Sequence, residues 1–136
     1  MKKISCFIFI FLALSGCATS DNKKALANFT CDGHKTMAVA LNDFSRKVFD
    51  SGYGNMADPT PALAQLFLIQ NRGPGDYSKK INGAEKGYQD SLAVAKEKGC
   101  ITTDYPISPI SEFEQRTKAL LAERKKAGWV SQSNKN

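Results

Sequence analysis

Apolar residues recur at three- and four-residue spacing in four separate stretches of this chain, and Pro or Gly interrupts the pattern between them. That period is the face of an α-helix, so the pattern restricts the fold more than any other feature of the sequence. From Lys35 to Asp50 the positions Met37, Leu41, Phe44 and Val48 predict a first amphipathic helix, halted by Gly52-Tyr53-Gly54-Asn55. Asp58-Pro59-Thr60-Pro61 announces a second, with Thr60 as N-cap and Pro61 at the first helical position. Ala62 to Gln70 then holds Leu63, Leu66, Phe67, Leu68 and Ile69, apolar nearly all round, which predicts the most buried element. Tyr77 to Lys98 places Tyr77, Ile81, Ala84, Tyr88, Leu92 and Ala95 on one face and ends at Gly99. Gly83 and Gly87 inside this third helix mark a close crossing or a break. Ser108-Pro109 opens the fourth, whose inner stripe is Ile110, Phe113, Thr117, Leu120 and Leu121 and whose stop is Gly128. Ile101 to Ile107 is β-branched but lacks a partner strand and reads as a loop. Four helices with short connections predict an all-α fold, a small four-helix bundle-like domain over 29–130.

The N-terminus obeys a different rule. Lys2 and Lys3 precede an apolar run from Ile4 to Leu14 that closes on Leu14-Ser15-Gly16-Cys17. Eleven residues are too few to span a bilayer, which takes about 20. The segment resembles a bacterial lipoprotein signal, whose cleavage box is a Leu, two small residues and a Cys. The resemblance implies removal of 1–16 and lipidation of Cys17, which anchors the chain in a membrane through its acyl chains. Ala18, in place of an inner-membrane-retaining Asp, implies the outer membrane, facing the periplasm. Residues 17–28, polar and poor in core formers, then read as the lipidated N-terminus and a flexible tether, and 131–136 as a disordered tail.

Export changes the cysteine count. Cys6 leaves with the signal and Cys17 takes the lipid, so Cys31 and Cys100 remain in a compartment that oxidises pairs. A Cys31–Cys100 disulfide is the expectation. Closing a loop of roughly 70 residues contributes about 4 kcal/mol in the chain-entropy model. The competing reading, a reactive thiol beside His34, requires an unoxidised cysteine.

Candidate chemistry is sparse. His34 is the sole histidine, so a multi-histidine metal site is excluded, and at the mouth of a helix it reads as a surface or capping residue. Gly73-Pro74-Gly75-Asp76 lacks the Lys-Ser/Thr of a phosphate loop and reads as a turn. Glu112, Glu114 and Glu123 share a helix with bases at pairing distance, which favours ion pairs over a hydrolytic dyad. Tyr88 reads as core and Tyr53 and Tyr105 as covers for loop edges. Arg72, Lys79, Lys80 and Lys86 make a basic patch around the start of the third helix, and Arg72, Lys79 and Lys80, with His34, form a candidate binding surface. No catalytic residue, metal or cofactor is predicted.

Without its signal the chain keeps a net charge of +4, down from +6 with Lys2 and Lys3 lost, too small and scattered to predict nucleic-acid binding. Phe29-Thr30-Cys31-Asp32-Gly33-His34-Lys35-Thr36 resembles the opening of membrane-bound lysozyme-inhibitor lipoproteins, which implies a first β-strand; the helical periods that follow depart from that family. The sequence therefore predicts a non-catalytic interaction module of the cell envelope, attached to the membrane through Cys17 and bound to an envelope protein. The alternatives are a small periplasmic enzyme, a glycan-binding module or a lysozyme-inhibitor-like lipoprotein.

Overall fold

The computed structural model describes residues 19–131, with side chains from Asp21 onward. The signal segment 1–16, Cys17 and residues 132–136 lie outside the described residues, and so do the expectations attached to them. Five helices follow in order: α1 (Thr19–Ala27), α2 (Cys31–Gly52), α3 (Thr60–Gln70), α4 (Asp76–Glu97) and α5 (Pro109–Lys126). There is no strand among the described residues, and the segment Phe29–Thr36 forms the cap and first turns of α2. The described residues adopt an all-α fold with the Cys31–Cys100 disulfide.

The long helices α2, α4 and α5 make the body. α2 lies against both α4 and α5, and α3 packs on α4 and α5. Two apolar clusters fill the interior. The larger joins Phe49 and Tyr53 to Ala62, Leu66, Ile69, Ile81, Phe113 and Leu120. Phe113 is fully buried, its ring edge-on to Phe49 at 5.2 Å and to Tyr53 at 5.8 Å. The smaller cluster holds Ala38, Leu41, Ala84 and Tyr88 between α2 and α4.

The buried line of α2 is His34, Ala38, Leu41, Ser45 and Phe49, rotated from the predicted Met37–Leu41–Phe44–Val48 stripe. The rotation follows from packing on two helices at once. Small Ala38 and Ser45 sit in the tightest places, and the Ser45 hydroxyl donates to Pro109 O at 2.6 Å. Gly87 faces Leu41 and Met37, where a Cβ would make ordinary contacts at 3.6 and 3.7 Å. It marks the α2–α4 crossing. Gly83 faces open space, and α4 runs through both glycines without a break.

Helix ends follow local chemistry. The Thr30 hydroxyl accepts from Gly33 N at 3.1 Å, which starts α2 at Cys31, four residues before the predicted start at Lys35. At α3 the capping oxygen belongs to Asp58, not Thr60: its Oδ1 accepts from Thr60 N at 2.9 Å and from the Thr60 hydroxyl at 2.6 Å. Ser108 caps α5 as predicted. α4 ends in a left-handed Gly99 (φ 74°), with Gly99 N bonded to Lys96 O and Cys100 N to Ala95 O. The same pair of bonds recurs after α3, where Arg72 takes the left-handed position at φ 52°.

Two expectations are corrected. The flexible tether predicted over 17–28 is helical over Thr19–Ala27, because Asp21 favours the first turn and Lys23 to Ala27 are strong helix formers. α1 lies against α4 with Leu26 buried. The second correction concerns α3. Ala62, Leu66 and Ile69 are buried, but Phe67 is 65% exposed, because no described element covers the side turned away from α4 and α5.

Candidate functional site

The end of the bundle where α2 begins and α4 finishes carries the covalent feature of the fold. Gly99 turns the chain back beside the first turn of α2, and Cys100 reaches Cys31 with Cα atoms 5.5 Å apart. Lys98 Nζ donates to Ala27 O at 2.9 Å and to Phe29 O, so the α1–α2 junction is tied to α4 twice.

Residues 101–108 then run as a strap along α2 and α4. Lys35 pairs with Asp104, the Tyr105 hydroxyl donates to Cys31 O at 3.3 Å, and the Tyr88 hydroxyl donates to Pro106 O at 2.7 Å. Further along, Asn42 Nδ2 donates to Ile107 O at 2.9 Å, and Glu85 Oε2 accepts from Ile110 N at 3.0 Å. Between strap and disulfide lies an open cleft of about 390 Å³, bordered by Asp32, Lys35, Ile101, Asp104 and Tyr105. The hydrogen bond from Lys35 holds the Asp104 carboxyl below its ordinary range and raises Lys35 in turn. Its sulfurs are bonded to each other and its one close acid–base pair is an ion pair. The cleft therefore presents polar binding atoms and holds no free thiol.

His34 is not part of any surface. It is fully buried inside the first turn of α2, with Nδ1 2.8 Å from Ser91 Oγ on α4 and its ring 5.6 Å from that of Phe29. The expectation of a surface histidine fails because α2 begins at Cys31, which turns position 34 toward α4. Burial, then the Lys98 ammonium, lowers its pKa, and Nε2 has no partner. The enzymatic alternative built on an accessible His34 loses that residue.

Arg72, Lys79 and Lys80 are exposed, as a binding surface requires, but they stand at the other end of the bundle. Lys79 is twelve residues along α4 from Ser91, about 18 Å of helical rise. The predicted set thus divides: His34 belongs to the interior at the disulfide end, and the three cations to the α3–α4 connection. Cys31 and Cys100 are joined as predicted.

Three exposed apolar residues lie on α3 or in segments that meet its N-terminal side, and they were not predicted as a set. Phe67 projects from the helix itself. Met56 precedes it in a loop held by Arg124, whose Nε donates to Met56 O at 2.8 Å. Val130 follows Trp129, whose indole bonds to Asp58 beside the α3 N-terminus and, after Thr60, helps to lower the Asp58 pKa. The sequence signal was present in α3: an 11-residue helix with a single polar residue, Gln65, between Ala62 and Ile69 must expose apolar surface unless neighbours surround it.

Among the described residues, no three His, Cys, Asp or Glu side chains are grouped to hold a metal, and no helix is long and apolar enough to cross a membrane. The chain matches no protein-family model, no curated protein and no solved structure.

Proposed function

We propose that this protein is a lipid-anchored component of the bacterial cell envelope, held through Cys17, that acts as a non-catalytic interaction module in the periplasm, with the outer membrane as its site. The observation that carries the reading is the Leu14-Ser15-Gly16-Cys17 segment behind Lys2, Lys3 and an apolar run too short to span a bilayer. The Cys31–Cys100 bond supports it independently, since such staples persist in oxidising compartments. For the partner surface the strap is the best support. Ile101 is 78% exposed at the rim of the cleft, and Val39 and Ile107 expose apolar side chains where the strap crosses α2.

Metabolic labelling with radioactive palmitate tests the anchor: the wild type takes up label and Cys17→Ser does not. Label in that variant refutes lipidation at Cys17. A photocrosslinking side chain in place of Ile101, activated in intact envelopes, tests the interaction. It is expected to capture one envelope protein, and capture lost in Tyr105→Ala would tie that partner to the cleft. Turnover of peptidoglycan by the purified protein would replace the module reading with an enzymatic one.

A further inference from the structure

We infer that the outward face of α3 is a docking surface for an anionic lipid bilayer, with Phe67 as the inserted side chain. Three observations bear on that face.

It is apolar and exposed. Phe67 stands 65% exposed with Ala64 beside it and Leu63 and Leu68 half-buried on its flanks. An exposed aromatic on a helix can insert into a fluid interface, which moulds to it. Met56, ahead of α3 and held by Arg124, and Val130, next to the Trp129 that bonds to Asp58, are exposed as well.

Its two ends are cationic. Beyond the C-terminus of α3 stand Arg72, Lys79 and Lys80, three cations against the single carboxylate of Asp76. Near its N-terminus, next to Trp129, stand Lys125 and Lys126. The side chains of these five cations make no ion pair among the described residues. Lys35, Arg46, Lys86, Arg116 and Lys118 are each paired with a carboxylate, while Lys23, Lys24, Lys47 and Lys96 on other parts of the surface likewise make no ion pair among the described residues.

One of the two carboxylates nearest α3 is neutralised by a cation, while the other is hydrogen-bonded and keeps its charge. Asp58 is bonded to Thr60, and Glu114 is paired with Lys118 at 2.5 Å. The partner that complements an exposed apolar strip between two unpaired cationic ends is a surface with a negative outer layer over a hydrocarbon interior. An anionic phospholipid leaflet has that layering, and each Lys or Arg near it adds to the attraction.

The inference rests on the envelope reading for the presence of a bilayer within reach, and it adds to that reading an orientation: α3 toward the lipid, with the strap left for the partner.

The test uses full-length processed protein reconstituted with vesicles of phosphatidylcholine, alone or with phosphatidylglycerol, carrying plain or brominated acyl chains. Flotation reports the anchor. Trp129, the sole tryptophan, lies at the edge of the face and reports contact with brominated chains through quenching of its fluorescence. Quenching is expected in the anionic vesicles and not in the neutral ones, and high salt is expected to relieve it. Phe67→Ser should abolish it, and each of Arg72→Gln, Lys79→Gln and Lys80→Gln should lower the docked-to-undocked ratio about fivefold. All four positions are exposed, and circular dichroism verifies that the variants fold. Protein that floats on anionic vesicles with Trp129 unquenched overturns the docking face and leaves the anchor standing. Quenching by anionic vesicles without flotation on neutral ones supports the face and removes the anchor. A photocrosslinker at position 67 that captures a protein and no lipid would also overturn it.

Discussion

Replacing both cysteines, as Cys31→Ala with Cys100→Ala, isolates what the cross-link does for this fold. The two positions are 69 residues apart, and the chain-entropy relation for a loop of that length gives about 15 cal/mol/K, or about 4 kcal/mol at 25 °C. Little else is lost with the sulfurs, because Cys31 is exposed and Cys100 half-exposed. The native geometry has other supports: Lys98 on the carbonyls of Ala27 and Phe29, Lys35 on Asp104, and the Tyr105 hydroxyl on Cys31 O. These contacts act in the folded state, whereas the cross-link acts mostly by restricting the unfolded one, so the double variant should fold and be less stable. Against a typical total of about 5–15 kcal/mol, the loss is a large fraction. Urea unfolding followed by circular dichroism should show the midpoint falling by about 2 M, taking a slope of about 2 kcal/mol/M for a domain of this size. A loss below about 1 kcal/mol with an unchanged slope would refute the reasoning, because it would mean that the unfolded chain already holds residues 31 and 100 together.

Three further outcomes follow from single positions. His34 has its folded pKa held below the ordinary 6.5, so the unfolded chain takes up the proton first; stability is fully present above pH 6.5 and declines as pH falls below it. Denaturation midpoints measured from pH 7.5 downward should show that decline in the wild type and a flatter profile in His34→Gln, and identical profiles would contradict it. Phe113→Ala, which empties a fully buried position between Phe49 and Tyr53, should cost about 3–5 kcal/mol in urea unfolding. Two alanine substitutions in or just beyond α4 should have opposite signs in thermal unfolding: Gly83→Ala, facing open space in the helix interior, should stabilise by up to about 1 kcal/mol. Gly99→Ala, at φ 74°, should destabilise by about 1 kcal/mol.

The parts of this fold that were legible in the sequence are those in which one residue type answers to one local requirement. Ser108 and Pro109 announce α5, Gly99 ends α4, and the spacing of Ile81, Ala84, Tyr88 and Ala95 selects the inner face of α4. The disulfide was legible by counting, once an oxidising compartment was inferred. The failures share a physical origin in packing partners that periodicity does not name. His34 was placed at a helix mouth because the first apolar repeat appears at Met37, but the Thr30 hydroxyl had already begun the helix, and one turn decides whether position 34 meets water or Ser91. The connector Thr19–Ala27 looked too polar to fold, yet a single buried leucine and the reach of Lys98 dock it on α4. α3 is the clearest case. A helix apolar on nearly every side is the expected pattern for an element surrounded by others, but α3 is about 16 Å long and packs on α4 and α5 from one direction only. Its composition is the same whether the other side meets protein, lipid or water. What separates these outcomes is the setting of Phe67, flanked by Arg72, Lys79 and Lys80 at one end and Lys125 and Lys126 at the other, all without carboxylate partners among the described residues. That arrangement is assembled by the turn after α3 and the end of α5, segments 50 residues apart in the chain, and so it becomes visible only after folding.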